Sequence, residues 1–564
     1  MVRWPSPRAV LGCSLAAGAA VAADAYFSAQ EGYLARPLDY DGVSYVTSAQ
    51  SAVMLLHSLH VRAAFHDLIT AVSPLWVSVL TAQQLVLGSG AWQAFSARFW
   101  AVALLLVLVY WVVSRRSTPW LGAVAVALTA LLPLVSPAIR ASSVEFITGQ
   151  SNYVEHWYLD DLRPDFLTGV LVVWAVAAIA EHVHTPRRSA YLVSAVFATA
   201  AVLAKTSTAP IVLAAWAAAL ASAWWWNGRS RDATRNTLLA ALLLVLLLAP
   251  WAVFAHGLSS VVTYLQQVAA LRSTYTSSGG LIGGFTYFLA RIPIQLGPIE
   301  AWAVIAGGLF LTVLLLRRKL GPAEIIYAGL ALLFYLAFSL PPSKNPVLGL
   351  WISLSIWLFF VAGAARLAMT RWPAFVNRAA RVTLSGVAVY VLVVYALGIV
   401  ALANWPANER RSNAQLLTVT SDVAQELGRH VSAGQCFGYA PGPGWPATLI
   451  GILMDGNGNA PVSTAIDVDP SRTAIRDYVA AASGCPAILT YREDIADVAK
   501  AFYAPPARQP YLRALADWVH SPDSGFVLDK SWTLSDLPPI TPHTLGSYQG
   551  QSLTVELYAR EQGK

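Results

Sequence analysis

Charge is what this sequence has least of. Asp, Glu, Lys and Arg make up 12% of its 564 residues, about half the ~25% typical of soluble domains. So few charges cannot cover a water-facing surface on a chain of this length, which excludes a soluble enzyme. A hydrophobic share of 56% excludes a disordered scaffold, which needs the opposite balance, and a nucleic-acid binder, whose affinity comes from dense positive charge. Cysteine is also scarce, and three thiols do not make a disulfide framework. Long apolar runs are plentiful, and the mean hydropathy of +0.54 points to a membrane protein of many spans.

The few charges are unevenly placed. Residues 405–564 hold 12 Lys/Arg and 16 Asp/Glu, net −4, whereas residues 1–404 hold 25 and 14, net +11. This contrast predicts an all-α polytopic membrane protein over 1–404, followed by a soluble α/β domain over 405–564. In the tail, helix-like stretches at 413–431, 471–483 and 507–520 alternate with strand-like ones at 435–439, 486–491, 525–533 and 551–559. The segment Gly438–Gly444 reads as a loop. Cys436 and Cys485 each open a strand-like run. An oxidising compartment would let them pair, but spacing alone cannot show the required Cα separation. Cys13 lies within an apolar run.

Windows of about 20 apolar residues fall near 9–28, 97–114, 119–138, 166–182, 189–204, 208–226, 237–256, 296–316, 323–340, 346–365 and 382–404, eleven in all. The pair meeting at Lys205 reads as one long or two short spans. With the N-terminus inside, short cytoplasmic segments hold Arg3, Arg8, Arg115, Arg116, Arg187, Arg188, Arg229, Arg231, Arg235, Arg317, Arg318, Lys319, Arg366, Arg371, Arg378 and Arg381, 16 of the 25 basic residues before 405. An odd number of spans places the tail outside, periplasmic in a bacterial inner membrane. Arg3, Arg8, the apolar run and Ala22-Ala23-Asp24-Ala25 also resemble a secretory signal peptide; under either reading the loop 29–96 is external.

Two external loops, 29–96 and 139–165, are the polar exceptions. The first carries Asp39, Asp41 and Tyr45, then apolar helix-like stretches too amphipathic to span, as expected of segments lying on the membrane surface. The second ends Tyr158-Leu-Asp-Asp-Leu-Arg-Pro-Asp165. Acids beside the hydrocarbon mark function when they are not solvated loop charges or surface ion networks. Further motifs follow in order: Val72-Ser73-Pro74-Leu75, Arg98 before a span, Ser136 to Arg140 at the end of the next, Arg163-Pro164-Asp165 at the mouth of the fourth, and Ala204-Lys205-Thr206 at a break.

Over residues 25–260 this order resembles the GT-C glycosyltransferases that use polyprenyl-phosphate sugars, nearest the branch of the protein O-mannosyltransferases and the lipid A aminoarabinose transferase. The resemblance implies that Asp41 is the first-loop catalytic base, with Tyr45 as its motif tyrosine. It implies that Asp165 is the fourth-span acid, and that Lys205 and Arg98 are cations for the donor phosphate. Gly42 stands where relatives often carry Glu, and Val72-Ser73 replaces a Lys/His-Pro pair, so one expected phosphate cation is missing. His66, Arg62 or Lys344 would have to supply it, although Lys344 also reads as an interfacial anchor. Asp39, His66 and Arg163 are candidate substrate contacts. On a strand-like segment Asp39 and Asp41 would share a face and jointly hold a divalent cation; no other cofactor is implied. The partners implied are a polyprenyl-phosphate-linked sugar, a hydroxyl of a glycan, lipid or protein, and the bilayer itself. Two other readings remain. A transporter or flippase of lipid-linked sugars would show mid-membrane charges in repeated halves. A polymerase or ligase of such sugars would keep its busiest external loops late in the chain.

Overall fold

The computed structural model describes residues 5–30, 40–88, 91–137, 139–140, 162–255, 280–317, 320–341, 346–369, 392–398, 422–431, 435–440, 474–494, 509–535 and 552–560, with further positions in 257–266, 386–400 and 418–419. Asp39 and Lys344 lie outside the described residues, as do Glu145, Glu155, Asp160 and Asp161 of the second loop.

The first 368 residues form a helical body. Its helices are α1 (Pro7–Gln30), α2 (Tyr40–His57), α3 (Val61–Thr70), α4 (Pro74–Leu87), α5 (Ala91–Ser96), α6 (Arg98–Arg116), α7 (Pro119–Ala130), α8 (Asp165–Ala180), α9 (Arg188–Ala204), α10 (Ala209–Trp226), α11 (Arg231–Phe254), α12 (Gly280–Leu289), α13 (Ile292–Leu296), α14 (Pro298–Leu316), α15 (Pro322–Ser339) and α16 (Gly349–Ala368). Among the described residues six helices are long and apolar enough to cross a membrane, seven if the pair bent by 118° at 282–316 counts as one span. Ten of the eleven apolar windows coincide with helices, and within the eleventh, 382–404, residues 392–398 are helical. The loop between the first two apolar windows forms helices α2 to α5, so Asp41 sits in a helical first turn rather than on a strand.

The core of the body is α8, whose 16 residues are all buried. At 1.5 Å per residue it is about 24 Å long, shorter than the ~30 Å hydrocarbon core. A helix enclosed by protein on every side need not match the lipid thickness, so its polar head can lie inside the bundle. Close packing comes from small residues. A Cβ at Gly169 would meet Trp351 Cδ1 at 2.9 Å and Leu354 Cδ1 at 3.0 Å, so the glycine sets how near α16 approaches α8. The rings of Trp111 and Trp174 stack at 5.4 Å, and Trp174 stacks on Phe197 at 5.0 Å. The periphery is the inverse: Leu238, Leu242, Leu246, Trp302, Leu309 and Phe310 are exposed, as expected where lipid is the solvent.

Beyond residue 418 a second apolar cluster forms around a four-stranded sheet, β1 (Gly438–Tyr439), β2 (Ala487–Tyr491), β3 (Phe526–Ser535) and β4 (Ser552–Arg560), in the order β1-β2-β4-β3. β1 runs parallel to β2, while β4 is antiparallel to both β2 and β3. Gly438 and Tyr439 therefore belong to a strand, as the strand-like run 435–439 predicts, rather than to the loop read over 438–444. A Cβ at 438 would stand 2.9 Å from Ile488 Cγ1, so the side chain of Ile488 packs over the bare glycine backbone. The helices α17 (Ile475–Ser483) and α18 (Gln509–Val519) pack on this sheet through Tyr478, Leu512 and Leu515, together with helical residues 422–430. Cys436 and Cys485 are joined by a disulfide that closes 49 residues of sequence.

Candidate active site

Helices alternate in direction, so one end of the body collects Arg98, Arg140, Asp165, Lys205 and Glu300, and the opposite end collects Arg115, Arg116, Glu181, Glu324 and Arg366. The candidate site lies at the first of these ends, around the junction of α9 and α10. The junction breaks because Lys205 is extended (φ −147°, ψ 92°) and the chain re-enters α10 through a short 3-10 turn, Thr206–Thr208. The break turns the Lys205 side chain across to α8. Its Nζ lies 2.6 Å from both Oδ1 and Oδ2 of Asp165. Asp165 is wholly buried, while the Lys205 side chain keeps 12% exposure. The carboxylate is thus the inner member of the pair and the ammonium the accessible one. Asp165 opens α8, where the helix N-terminus adds to the stabilisation of its negative charge. Trp351 Nε1 of α16 donates to the Asp165 carbonyl at 2.9 Å.

The α2–α5 segment is fastened beside this pair at two points. Thr206 Oγ1 donates to the Val72 carbonyl at 2.6 Å, and Trp76 Nε1 donates to the Leu162 carbonyl at 2.6 Å. The Val72-Ser73-Pro74-Leu75 motif therefore lies against Lys205-Thr206, and Pro74 starts α4 beside them. The structure thus brings together the Val72 motif, the segment 162–165 and Lys205. Tyr45 is buried in α2, and α2 carries Asp41 in its first turn. His66 stands exposed on α3, 3.9 Å from Asp67, and Arg62 is exposed on the same helix. Arg163 is half-buried two residues before Asp165.

Arg98 is placed differently. It is buried and ion-paired to the fully buried Asp24 of α1 at 3.2 Å, with its guanidinium 5.0 Å from the Phe95 ring. Reading along the chain did not identify Asp24 as its partner, nor the second buried pair at this end, Arg140 and Glu300 at 2.9 Å. The bend after α13 builds that second pair. Gly297 holds φ +91°, and a Cβ there would collide with Glu300 Oε2 and Arg140 Nη2. The bend also frees the Gln295 carbonyl to accept from Leu134 N at 3.0 Å, and the Gln295 side chain accepts from Ser353 Oγ at 2.6 Å. At the far end Arg116 bridges Glu181 at 2.6 Å and Glu324 at 3.0 Å, tying α6 to α15. The signal for all of these was available, because acids and arginines inside apolar windows are rare and usually paired, but their partners are 65 to 208 residues apart.

For a metal, the described residues offer Glu426, His430 and Asp529, in the sheet cluster. The fit is poor. Glu426 accepts from Arg429 at 2.6 Å and from Lys530 at 3.0 Å, so both of its oxygens face cations that a dication would have to displace. Burial acts to raise the Glu426 carboxyl, but hydrogen bonds from Lys530 and Arg429 outweigh it and hold the group below its usual range.

No family model matches this chain, and neither does any curated protein. The solved structures similar to it include two of one protein. One is ArnT from Cupriavidus metallidurans in the apo state, at 15% identity and a TM-score of 0.47, across 91% of this chain and 93% of that one. The other is the same protein bound to undecaprenyl phosphate, at 15% identity and a TM-score of 0.49, across 86% and 87%. Neither figure is high enough to transfer a role to any residue, and the roles below stand on the residues of this chain.

Proposed function

We propose that the chain is an integral membrane glycosyltransferase of the GT-C kind, moving a sugar from a polyprenyl-phosphate carrier to a hydroxyl on the external face of a bacterial inner membrane. The observation that carries this reading is the Lys205–Asp165 pair. A cation stands at a break between two helices of the bundle, oriented by a buried acid and fastened to the first external loop.

Each part then has a task. The acceptor oxygen attacks the anomeric carbon, and the bond from that carbon to the phosphate oxygen breaks. The electron pair leaves with the phosphate, whose charge becomes more negative by one. Lys205 supplies a positive charge where that charge develops. Asp165 acts as a positioning residue: both of its oxygens hold Lys205, so it does not take the acceptor's proton. That proton goes to Asp41, which α2 delivers from the first loop, with Tyr45 one helical turn further along. Arg98 is occupied by Asp24 and serves to dock α1 on α6, so the donor phosphate relies on Lys205, with Lys344 as a further candidate. The donor lipid is in the bilayer while its headgroup is outside, which suits a site at the ends of α8 to α10 covered by surface helices.

The test is Asp41→Asn in membranes supplied with a labelled polyprenyl-phosphate sugar. General-base loss lowers transfer by about 10²–10⁴-fold while the protein level is unchanged. Transfer near wild type rejects Asp41 as the base.

A further inference from the structure

At the arginine-rich end, remote from Lys205, α11 has two opposite faces. Ala233, Asn236, Ala240, Leu244 and Trp251 are buried against the bundle. Arg231, Thr234, Arg235, Leu238 and Leu242 fall on the other face, within about 100° of one another at 100° per residue. Together with Leu239 they line an open depression of about 410 Å³ along the helix surface. Two guanidiniums one turn apart cap it, and below them its wall is leucine. Leu238 and Leu242 are exposed, as side chains facing lipid are.

The depth of the cap is marked independently. Trp225 and Trp226 at the end of α10 are exposed, and Arg229 lies 4.5 Å from the Trp225 ring centroid and 5.4 Å from that of Trp224. Exposed tryptophans interleaved with arginine are the signature of the headgroup layer. Arg231 follows directly, so the cationic cap is at headgroup level and the leucine groove runs into the hydrocarbon. Thr234 Oγ1 is engaged by Trp224 Nε1 at 2.9 Å, which fixes this corner of the depression. Asp232 pairs with Arg235 at 3.2 Å, yet the turn still carries a net positive charge with Arg229, Arg231 and Arg235 against one acid.

From this geometry we infer a binding site for an anionic phospholipid of the leaflet at the arginine-rich end. Its phosphate rests on Arg231 and Arg235, and one acyl chain lies along Leu238 and Leu242. A water-soluble anion is a poorer fit, because nothing below the cap is polar. The sugar donor is not its occupant, since the donor's site is at the other end of these helices.

The experiment is native mass spectrometry of the full-length protein, released from mixtures of phosphatidylglycerol and phosphatidylcholine of identical acyl chains. Wild type is expected to retain phosphatidylglycerol preferentially. That preference should fall about fivefold per arginine in Arg231→Gln and again in the double variant with Arg235→Gln. Asp232→Asn, which alters the same turn without removing a cation, should keep or raise it. Inorganic phosphate at millimolar concentration should not displace the lipid. Four results would overturn the inference: equal retention of the two lipids, an unchanged preference in the double variant, an equal loss in Asp232→Asn, or displacement by phosphate.

Discussion

Replacing Lys205 by Met separates two consequences of one ion pair. The substitution keeps the length of the side chain and leaves Asp165, fully buried, without the ammonium that now lies 2.6 Å from both of its oxygens. Removing one partner of a buried pair costs about 3–5 kcal/mol. The N-terminus of α8 returns up to about 1 kcal/mol, so a net loss of about 2–4 kcal/mol is expected. The same change removes the cation proposed to face the departing phosphate, where loss of one such group costs about 10²–10³-fold in rate. The two effects come apart in the double variant Lys205→Met with Asp165→Leu. With both charges gone the buried site is apolar, and such exchanges are often neutral or stabilising. Thermal unfolding in detergent should therefore show a lowered midpoint for the single variant and recovery in the double. Transfer of a labelled sugar should be lost in both. A double variant that transfers sugar at the wild-type rate refutes the role of Lys205 as the phosphate's cation. A single variant that unfolds like wild type refutes the buried pair itself.

Gly169→Ala brings a Cβ to 2.9 Å from Trp351 Cδ1. Overpacking of this kind costs about 1–3 kcal/mol and should shift Trp351 away from the Asp165 carbonyl, lowering both the unfolding midpoint and activity, while Gly329→Ala, where no atom lies within 4 Å of the added carbon, should change neither. Cys485→Ser opens the 49-residue bridge, which by loop-closure entropy is worth about 4 kcal/mol; limited proteolysis should then cut within 436–560 and leave residues 98–254 protected. Glu426 is held below its ordinary value of 4.5 by Lys530 and Arg429. A carboxyl depressed in the folded state contributes stability that is complete above its unfolded value and is lost as pH falls through the folded one. Unfolding of the sheet region followed below pH 4.5 should therefore become less acid-sensitive in Glu426→Gln, and an unchanged acid limb would remove Glu426 from the explanation.

The sequence determined what depends on composition and on near neighbours in the chain. A low charge density and 20-residue apolar windows are statements about solvent, and they located ten helices of the body because a bilayer accepts little else. Alternating apolar residues likewise placed β2, β3 and β4, and turn chemistry broke the chain at Lys205. The Val72 motif, Asp165 and Lys205 were legible as residues worth watching because ionisable or irregular groups are costly beside hydrocarbon. Which charges meet was decided by tertiary structure alone. Asp165 and Lys205 are 40 residues apart and Arg140 and Glu300 are 160 apart, and no local propensity encodes such a pairing. Arg98 shows the difference most plainly. The resemblance implied a phosphate ligand, and only the packing of α1 against α6 shows Asp24 beside it at 3.2 Å. A buried charge needs a partner within a few ångströms, and only the folded arrangement of helices determines which partner that is.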